Sequence, residues 1–270
     1  MSHFTPCPKL PQCRPTLLAN WATDWLMEFN IKKCAVLTIS RKRQPSQFQY
    51  TILGQLLTSV EQHDYLGITI VNDLRWNSHC QNIIRKSNKT LGLLRRTLSP
   101  CSRHVKKKAY ESLVRPRLEY AAEAWNPYTI TLVDKLEQVQ RAAARFVYRD
   151  FRRTTPVTPM ITNLGWDSLH VRRLLAQSVM FYKIHYQLVN IQFPSCVLPA
   201  CYLSRSDHQL KYQVPAPSTE GYKYSFYPRS IRVWNHLPPS VVIQTTPAAF
   251  KEVALVSIKG MLPPPGSKLL

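Results

Sequence analysis

Asn77-Ser78-His79-Cys80-Gln81-Asn82-Ile83-Ile84-Arg85-Lys86-Ser87-Asn88-Lys89-Thr90-Leu91-Gly92-Leu93-Leu94-Arg95-Arg96 is the stretch from which the fold can be read outward. Cys80, Ile83, Ile84, Ser87, Leu91 and Leu94 recur by threes and fours, while Arg85, Lys86, Lys89, Arg95 and Arg96 fall off that stripe. One apolar stripe with cations on the other faces describes an amphipathic helix that buries one side. Downstream, Ser102 can cap a second helix running to about Trp125, with a kink at Pro116. Thr131 can cap a third, in which Leu132, Leu136, Val139, Ala143, Phe146 and Val147 share a face. A fourth runs from about Ser168 to Leu188, with Leu169, Leu174, Leu175, Val179, Tyr182 and Ile184 inside. Short connections between amphipathic helices predict a helical bundle over 76–190.

Upstream the period changes. Leu17, Leu18, Trp21, Ala22, Trp25, Leu26 and Phe29 fall on one helical face that Asn30 can stop. Ala35–Ser40, Phe48–Leu53 and Tyr65–Val71 are β-branched and aromatic and read as strands, separated by the basic loop Arg41–Gln44 and a polar turn near Gln62–Asp64. Residues 16–75 are therefore expected to form a small helix-plus-sheet unit, and 1–15 a disordered N-terminus. Beyond 190 prolines crowd in, so 191–270 reads as a partly irregular extension in which Phe226–Phe250 is ordered and 262–270 is a frayed tail. The expected class is α+β, predominantly helical: a small sheet followed by a basic helical bundle.

Charge narrows the partners. The 270 residues carry 36 Lys+Arg against 15 Asp+Glu, a formal net charge of +21. Such an excess repels itself unless a polyanion neutralises it, so RNA or DNA is the expected partner. No apolar run reaches the roughly 18 residues of a membrane span, no secretory h-region follows Met1, and no basic amphipathic helix has a greasy aromatic face. No membrane partner is expected, and the location is read as intracellular, in cytoplasm or nucleus. The seven cysteines are scattered and read as reduced thiols. Cys7/Cys13, Cys196/Cys201 and the His79-Cys80 dipeptide lack zinc-ligand spacing, so no metal site is expected.

Between Arg85 and Arg117 stand eleven Lys or Arg and one acidic residue, Glu111. Charge runs on helices are commonly solvated faces. Here the excess persists over two helices, and the third adds Arg141, Arg145 and Arg149, with Arg152 and Arg153 beyond. The candidate phosphate contacts are Arg85, Lys86, Lys89, Arg95, Arg96, Lys106, Lys107, Lys108, Arg141 and Arg145. They would grip a backbone without reading sequence. Most of the six tryptophans lie on apolar faces and read as core. Glu119 and Glu137, one turn from Arg115 and Arg141, read as helix-surface ion pairs.

Catalytic motifs are missing from the text. Two-metal nucleotidyl transfer needs carboxylates that clamp ions about 4 Å apart, yet no two acidic residues are adjacent anywhere in the chain. Phosphate-cradling glycine motifs and a nucleophile elbow are likewise absent.

Several blocks, taken in order, resemble jockey-like reverse transcriptases of non-LTR retrotransposons. The first runs Trp21-Ala-Thr-Asp-Trp25-Leu-Met-Glu-Phe29-Asn30-Ile-Lys-Lys33-Cys34. Others are Tyr65-Leu66-Gly67-Ile68 with Leu74-Arg75-Trp76-Asn77, then Ala109-Tyr110 through Val114-Arg115-Pro116 to Glu119-Tyr120, and Trp125-Asn126-Pro127-Tyr128. Leu136-Glu137 through Arg145-Phe146, Leu164-Gly165-Trp166 with Arg172-Arg173, and Phe226-Tyr227-Pro228-Arg229 through Trp234-Asn235-His236-Leu237-Pro238 complete the series. The resemblance covers about 17–255. It implies that 16–75 is the end of a palm, 76–190 a thumb-like bundle and 191–270 a C-terminal extension. It also implies that Lys33 matches the lysine on the pyrophosphate side of the catalytic loop, and that Leu66 and Gly67 sit in the primer grip. On this reading the two catalytic-aspartate motifs lie before the matched region. The chain is then expected to be a truncated RNA-directed DNA polymerase, inactive alone and without a cofactor, magnesium belonging to the intact family enzyme. A sequence-independent grip on an RNA/DNA primer–template would remain. The same residues also fit a stand-alone basic nucleic-acid-binding protein or a helical protein-interaction scaffold.

Overall fold

The computed structural model describes residues 20–40, 42, 48–205 and 207–261. The N-terminal segment 1–15, the tail 262–270, Leu17, Leu18 and nearly all of the Arg41–Gln44 loop lie outside the described residues. The described chain is predominantly helical with a little sheet, the α+β class expected. It divides into two compact units, Met1–His79 and Cys80–Leu270, with the division falling in the first turn of a helix.

In the first unit, helix α1 is seen at residues 20–24 and gives way to a turn at Trp25 and Leu26. It ends five residues before the expected Phe29. Leu26 takes a left-handed backbone (φ 53°) that no helix can continue, and among the described residues of the apolar stripe only Ala22 is buried. A 3-10 turn at Ile31–Lys33 leads into β1 (Ala35–Leu37). Then come β2 (Thr51–Ile52), β3 (Gln55–Leu56), β4 (Thr58–Val60), β5 (Gln62–Tyr65) and β6 (Ile68–Val71). They form three two-stranded sheets: β1 with β4 parallel, β2 with β3 and β5 with β6 antiparallel. Phe48–Leu53 is thus mostly not strand, β3 and β4 were not foreseen, and the turn expected near Gln62–Asp64 is part of β5. Gln62-His63-Asp64-Tyr65 is exposed throughout, so it carries no apolar alternation to detect.

Both hairpins turn on the same dipeptide. Leu53-Gly54 closes β2–β3 with φ of 50° and 75°, and Leu66-Gly67 closes β5–β6 with φ of 47° and 82°. Two positive φ values in a two-residue loop match the strand twist, and glycine accepts one of them without strain. Behind the second hairpin, the Thr69 amide donates to His79 Nδ1 at 3.1 Å. His79 therefore acts as an acceptor for a strand.

Most of α2 (Asn77–Thr97) falls in the second unit, and the helix lies near the expected bounds. The single helix expected over 102–125 is instead three: α3 (Arg103–Leu113), α4 (Arg115–Glu119) and α5 (Ala122–Trp125). Pro116, in the first turn of α4, has no amide proton to continue α3, and Ala121 is left-handed (φ 50°) before α5. Ser102 caps α3 through Val105 N as expected. Next are α6 (Ile130–Tyr148), α7 (Thr158–Asn163) and α8 (Leu169–His185), the last capped by Ser168 through Val171 N.

α8 is the centre of this unit and packs against α4, α5 and α6. It also packs against helices beyond 190: α10 (Phe226–His236) and α12 (Pro247–Met261), which follow the short α9 (Glu220–Lys223) and flank α11 (Pro239–Val242). Phe181 and Tyr182 of α8, Ile231 and Trp234 of α10, and Phe250, Ala254 and Ile258 of α12 are all but fully buried in one core. A boundary at 190 does not describe this packing. The apolar face of α8 is wider than α4, α5 and α6 cover, and α10 and α12 close over the remainder.

Candidate nucleic-acid interface

α2 contributes the plainest feature. Its stripe buries Cys80, Ile83, Ser87, Leu91 and Leu94, which leaves Arg85, Lys86, Lys89, Arg95 and Arg96 exposed, and the helix contains no Asp or Glu. Of the other expected contacts, Lys108 and Arg141 are exposed. Arg117, on α4, reaches back to α2, its Nη1 donating to Thr90 Oγ1 at 2.8 Å.

Three candidates do not stand free on the surface. Lys106 is only 2% exposed, because its position in α3 faces α2 and α6, and its ammonium lies 5.7 Å from the Phe146 ring centre. Lys107 is half-buried and donates to the Leu164 carbonyl at 2.8 Å. Arg145 is half-buried and ties down the chain after α6, donating through Nη1 to the Arg152 carbonyl at 2.6 Å and through Nη2 to the Thr155 carbonyl at 3.0 Å. Helical spacing gives the direction of a side chain. It does not show which loop will fold back over it.

Desolvation pushes the Lys106 ammonium below its ordinary pKa, and the nearby Arg149 guanidinium adds to this. Arg149 follows α6 in the left-handed region (φ 58°) and donates to Ser99 Oγ at 3.4 Å. Arg95 lies 4.4 Å over the Phe151 ring. Arg95, Arg96, Lys106 and Arg149 line one cavity with Phe146 and Phe151. The aromatic walls and the cavity itself were not legible in the sequence. The Phe151 in Arg149-Asp150-Phe151 was the available signal, since it is an apolar residue isolated among charges after a helix end.

Both carboxylates assigned to surface pairs are used inside the unit. Glu119 pairs with Arg172 on α8, Nη2 to Oε2 at 2.9 Å. Glu137 accepts from the His170 amide at 2.7 Å, and burial raises its pKa. Trp125, Trp166 and Trp234 are buried core, whereas Trp21 and Trp25 are exposed.

In the first unit, Lys33 is exposed at the end of the 3-10 turn before β1. Leu66 and Gly67 form the exposed tip of the β5–β6 hairpin, with Leu66 72% accessible beside exposed Tyr65. Among the described residues no group of three or more His, Cys, Asp or Glu side chains is placed to hold a metal ion, and no helix is long and apolar enough to cross a membrane.

The RNA-directed DNA polymerase from the mobile element jockey of Drosophila funebris is 27% identical over 128 residues, 46% of this chain. Its Drosophila melanogaster counterpart is 25% identical over the same length. The chain is distantly similar to reverse transcriptases. The matched stretch covers 14% of each of these relatives. No family model and no solved structure matches.

Proposed function

We propose that this chain is a non-catalytic relative of non-LTR retrotransposon reverse transcriptases that grips nucleic acid by its backbone. The observation that carries the reading is α2. Its five exposed cations lie along one 21-residue helix with no carboxylate to neutralise them. Arg141 and Lys108 extend the excess to α6 and α3. Such contacts neutralise phosphates and release counterions, and they carry no sequence information. The distant similarity to RNA-directed DNA polymerases supports a primer–template duplex as the polymer, with α2–α8 as a thumb-like grip and Leu66-Gly67 as a primer-grip turn. Lys33 would face the pyrophosphate side only where a partner supplied metal-binding carboxylates, since this chain has no adjacent acidic pair.

The test is binding of the full chain to a primer–template duplex across a salt series, with a templated-extension assay beside it. The expected result is sequence-blind binding whose log affinity falls by roughly 0.9 per neutralised phosphate per log salt, with no extension. Salt-insensitive binding would replace this reading with a protein-interaction scaffold, and extension of the primer would overturn the non-catalytic part.

A further inference from the structure

The cavity of about 410 Å³ between α2, α3 and α6 is built differently from the exposed faces. Its lining includes Arg95, Arg96, Lys106 and Arg149 and no carboxylate. Three of these cations have an ordinary structural explanation: Arg95 and Arg96 end α2 and Arg149 follows α6, where cations complement the negative helix terminus. Lys106 has none. It lies in the opening turns of α3, at the positive end of a helix that begins Arg103-His104-Val105-Lys106-Lys107-Lys108 and has no acidic residue in its first turn. It is 2% exposed, and among the described residues its ammonium makes no hydrogen bond or ion pair, only the distant approach to Phe146. Its ammonium lines the cavity with cations around it and no carboxylate, an arrangement that is costly unless an anion enters. Two neighbouring groups are already fixed in place, Arg95 by stacking on Phe151 and Arg149 by its bond to Ser99 Oγ.

We propose that this cavity binds a phosphate monoester dianion, held by Lys106 on the floor and by Arg95, Arg96 and Arg149 at the walls. A dianion answers more of the converging charge than an internal phosphodiester does, and the end of a chain enters a recess where an internal phosphate with two flanking nucleosides does not. Two sources share this chemistry, the phosphorylated end of a nucleic acid strand and a free phosphate. The strand-end source rests on the nucleic-acid reading above; the site itself does not.

The experiment uses the full chain and Lys106→Met, which keeps an unbranched side chain one atom shorter and removes its charge. Inorganic phosphate is titrated against thermal stability in chloride buffer of constant ionic strength. In parallel, affinities are compared for one oligonucleotide bearing 5′-phosphate, 3′-phosphate or hydroxyl ends. Inorganic phosphate should raise the melting temperature of the native chain. If strand ends are the source, a phosphorylated end should bind about tenfold tighter than the hydroxyl form, as charge-assisted bonds to a second negative charge imply. Lys106→Met should melt no lower than the native chain without phosphate and should lose both responses. A phosphate response without end preference supports the site with a free phosphate as its ligand. A native chain indifferent to phosphate in both arms, a variant that keeps the responses, or a variant that melts lower without phosphate would each overturn the proposal. Salt-dependent binding of the hydroxyl-ended strand reports separately on the backbone-grip reading.

Discussion

Arg173, fully buried on α8, donates from Nε to Oδ1 of Asn126, the residue that ends α5, at 3.2 Å. Asn126 is the junction of a network. Its Nδ2 donates to Gln177 Oε1 at 2.9 Å, and its carbonyl accepts from Arg229 Nη1 of α10 at 3.1 Å. One asparagine thus ties α5, α8 and α10 together in a region where two guanidinium groups are out of water. Burial lowers the pKa of both, that of Arg229 to about 10.

Truncating that junction should therefore be costly. Asn126→Ala leaves the Arg173 Nε and the Gln177 carbonyl oxygen without their partner, and should destabilise the second unit by about 3 kcal/mol. Urea unfolding followed by tryptophan fluorescence measures this, since Trp125 and Trp234 are buried on both sides of the junction. A loss below about 1 kcal/mol, the ordinary worth of one hydrogen bond, would mean the network has no special role.

His170 gives the unit an acid limit. Burial first, then the charges of Arg229 and Arg173, hold its pKa down to about 3. The unfolded chain takes up the proton near pH 6.5, before the folded chain does. Stability is therefore fully present above that pH and is lost as pH falls toward 3, at up to about 1.4 kcal/mol per pH unit. His170→Gln should reduce this slope between pH 6 and 4 in a denaturation series, whatever it does to stability at pH 7, with His185 and His208, also held down by burial, supplying the remainder. An unchanged slope would place the acid sensitivity elsewhere.

Arg145 and Lys89 are both cations of the expected track, and they should separate cleanly. Arg145→Gln loses its bonds to carbonyls after α6 and should cost about 2 kcal/mol of stability. Lys89→Gln, on an exposed face, should alter stability by less than about 0.5 kcal/mol. It should flatten the salt dependence of duplex binding by roughly 0.9 log units. Paired thermal and binding measurements check both, and the reverse pattern would remove α2 from the interface.

The β5–β6 turn makes a local prediction. Leu66 holds a left-handed conformation (φ 47°) that costs a branched side chain about 1 kcal/mol. Leu66→Asn suits the same turn and should strengthen the hairpin by about that amount. Slower amide exchange across 62–71 is the expected readout. If the variant also leaves duplex binding unchanged, the exposed leucine has no role in gripping a primer.

Periodicity and local chemistry determined much of this molecule before any tertiary contact. The stripes of α2, α6 and α8 and the caps at Ser102 and Ser168 are properties of neighbours three and four residues apart, so the sequence alone specifies them. The absence of a carboxylate from α2 and the lack of any adjacent acidic pair are likewise facts of the sequence. Tertiary structure decided what those faces meet. Lys106 and Lys108 differ by two positions in one basic run, yet one is buried beneath α2 and α6 and the other is exposed. Glu119 and Glu137 each have a basic residue one turn away. They pair instead with groups from α8, more than thirty residues distant. Only folding brings those residues near, and burial then lowers the local dielectric until the distant partner outweighs the near one. The same long-range closure of α10 and α12 over α8 turned a proline-rich extension into the larger part of a core.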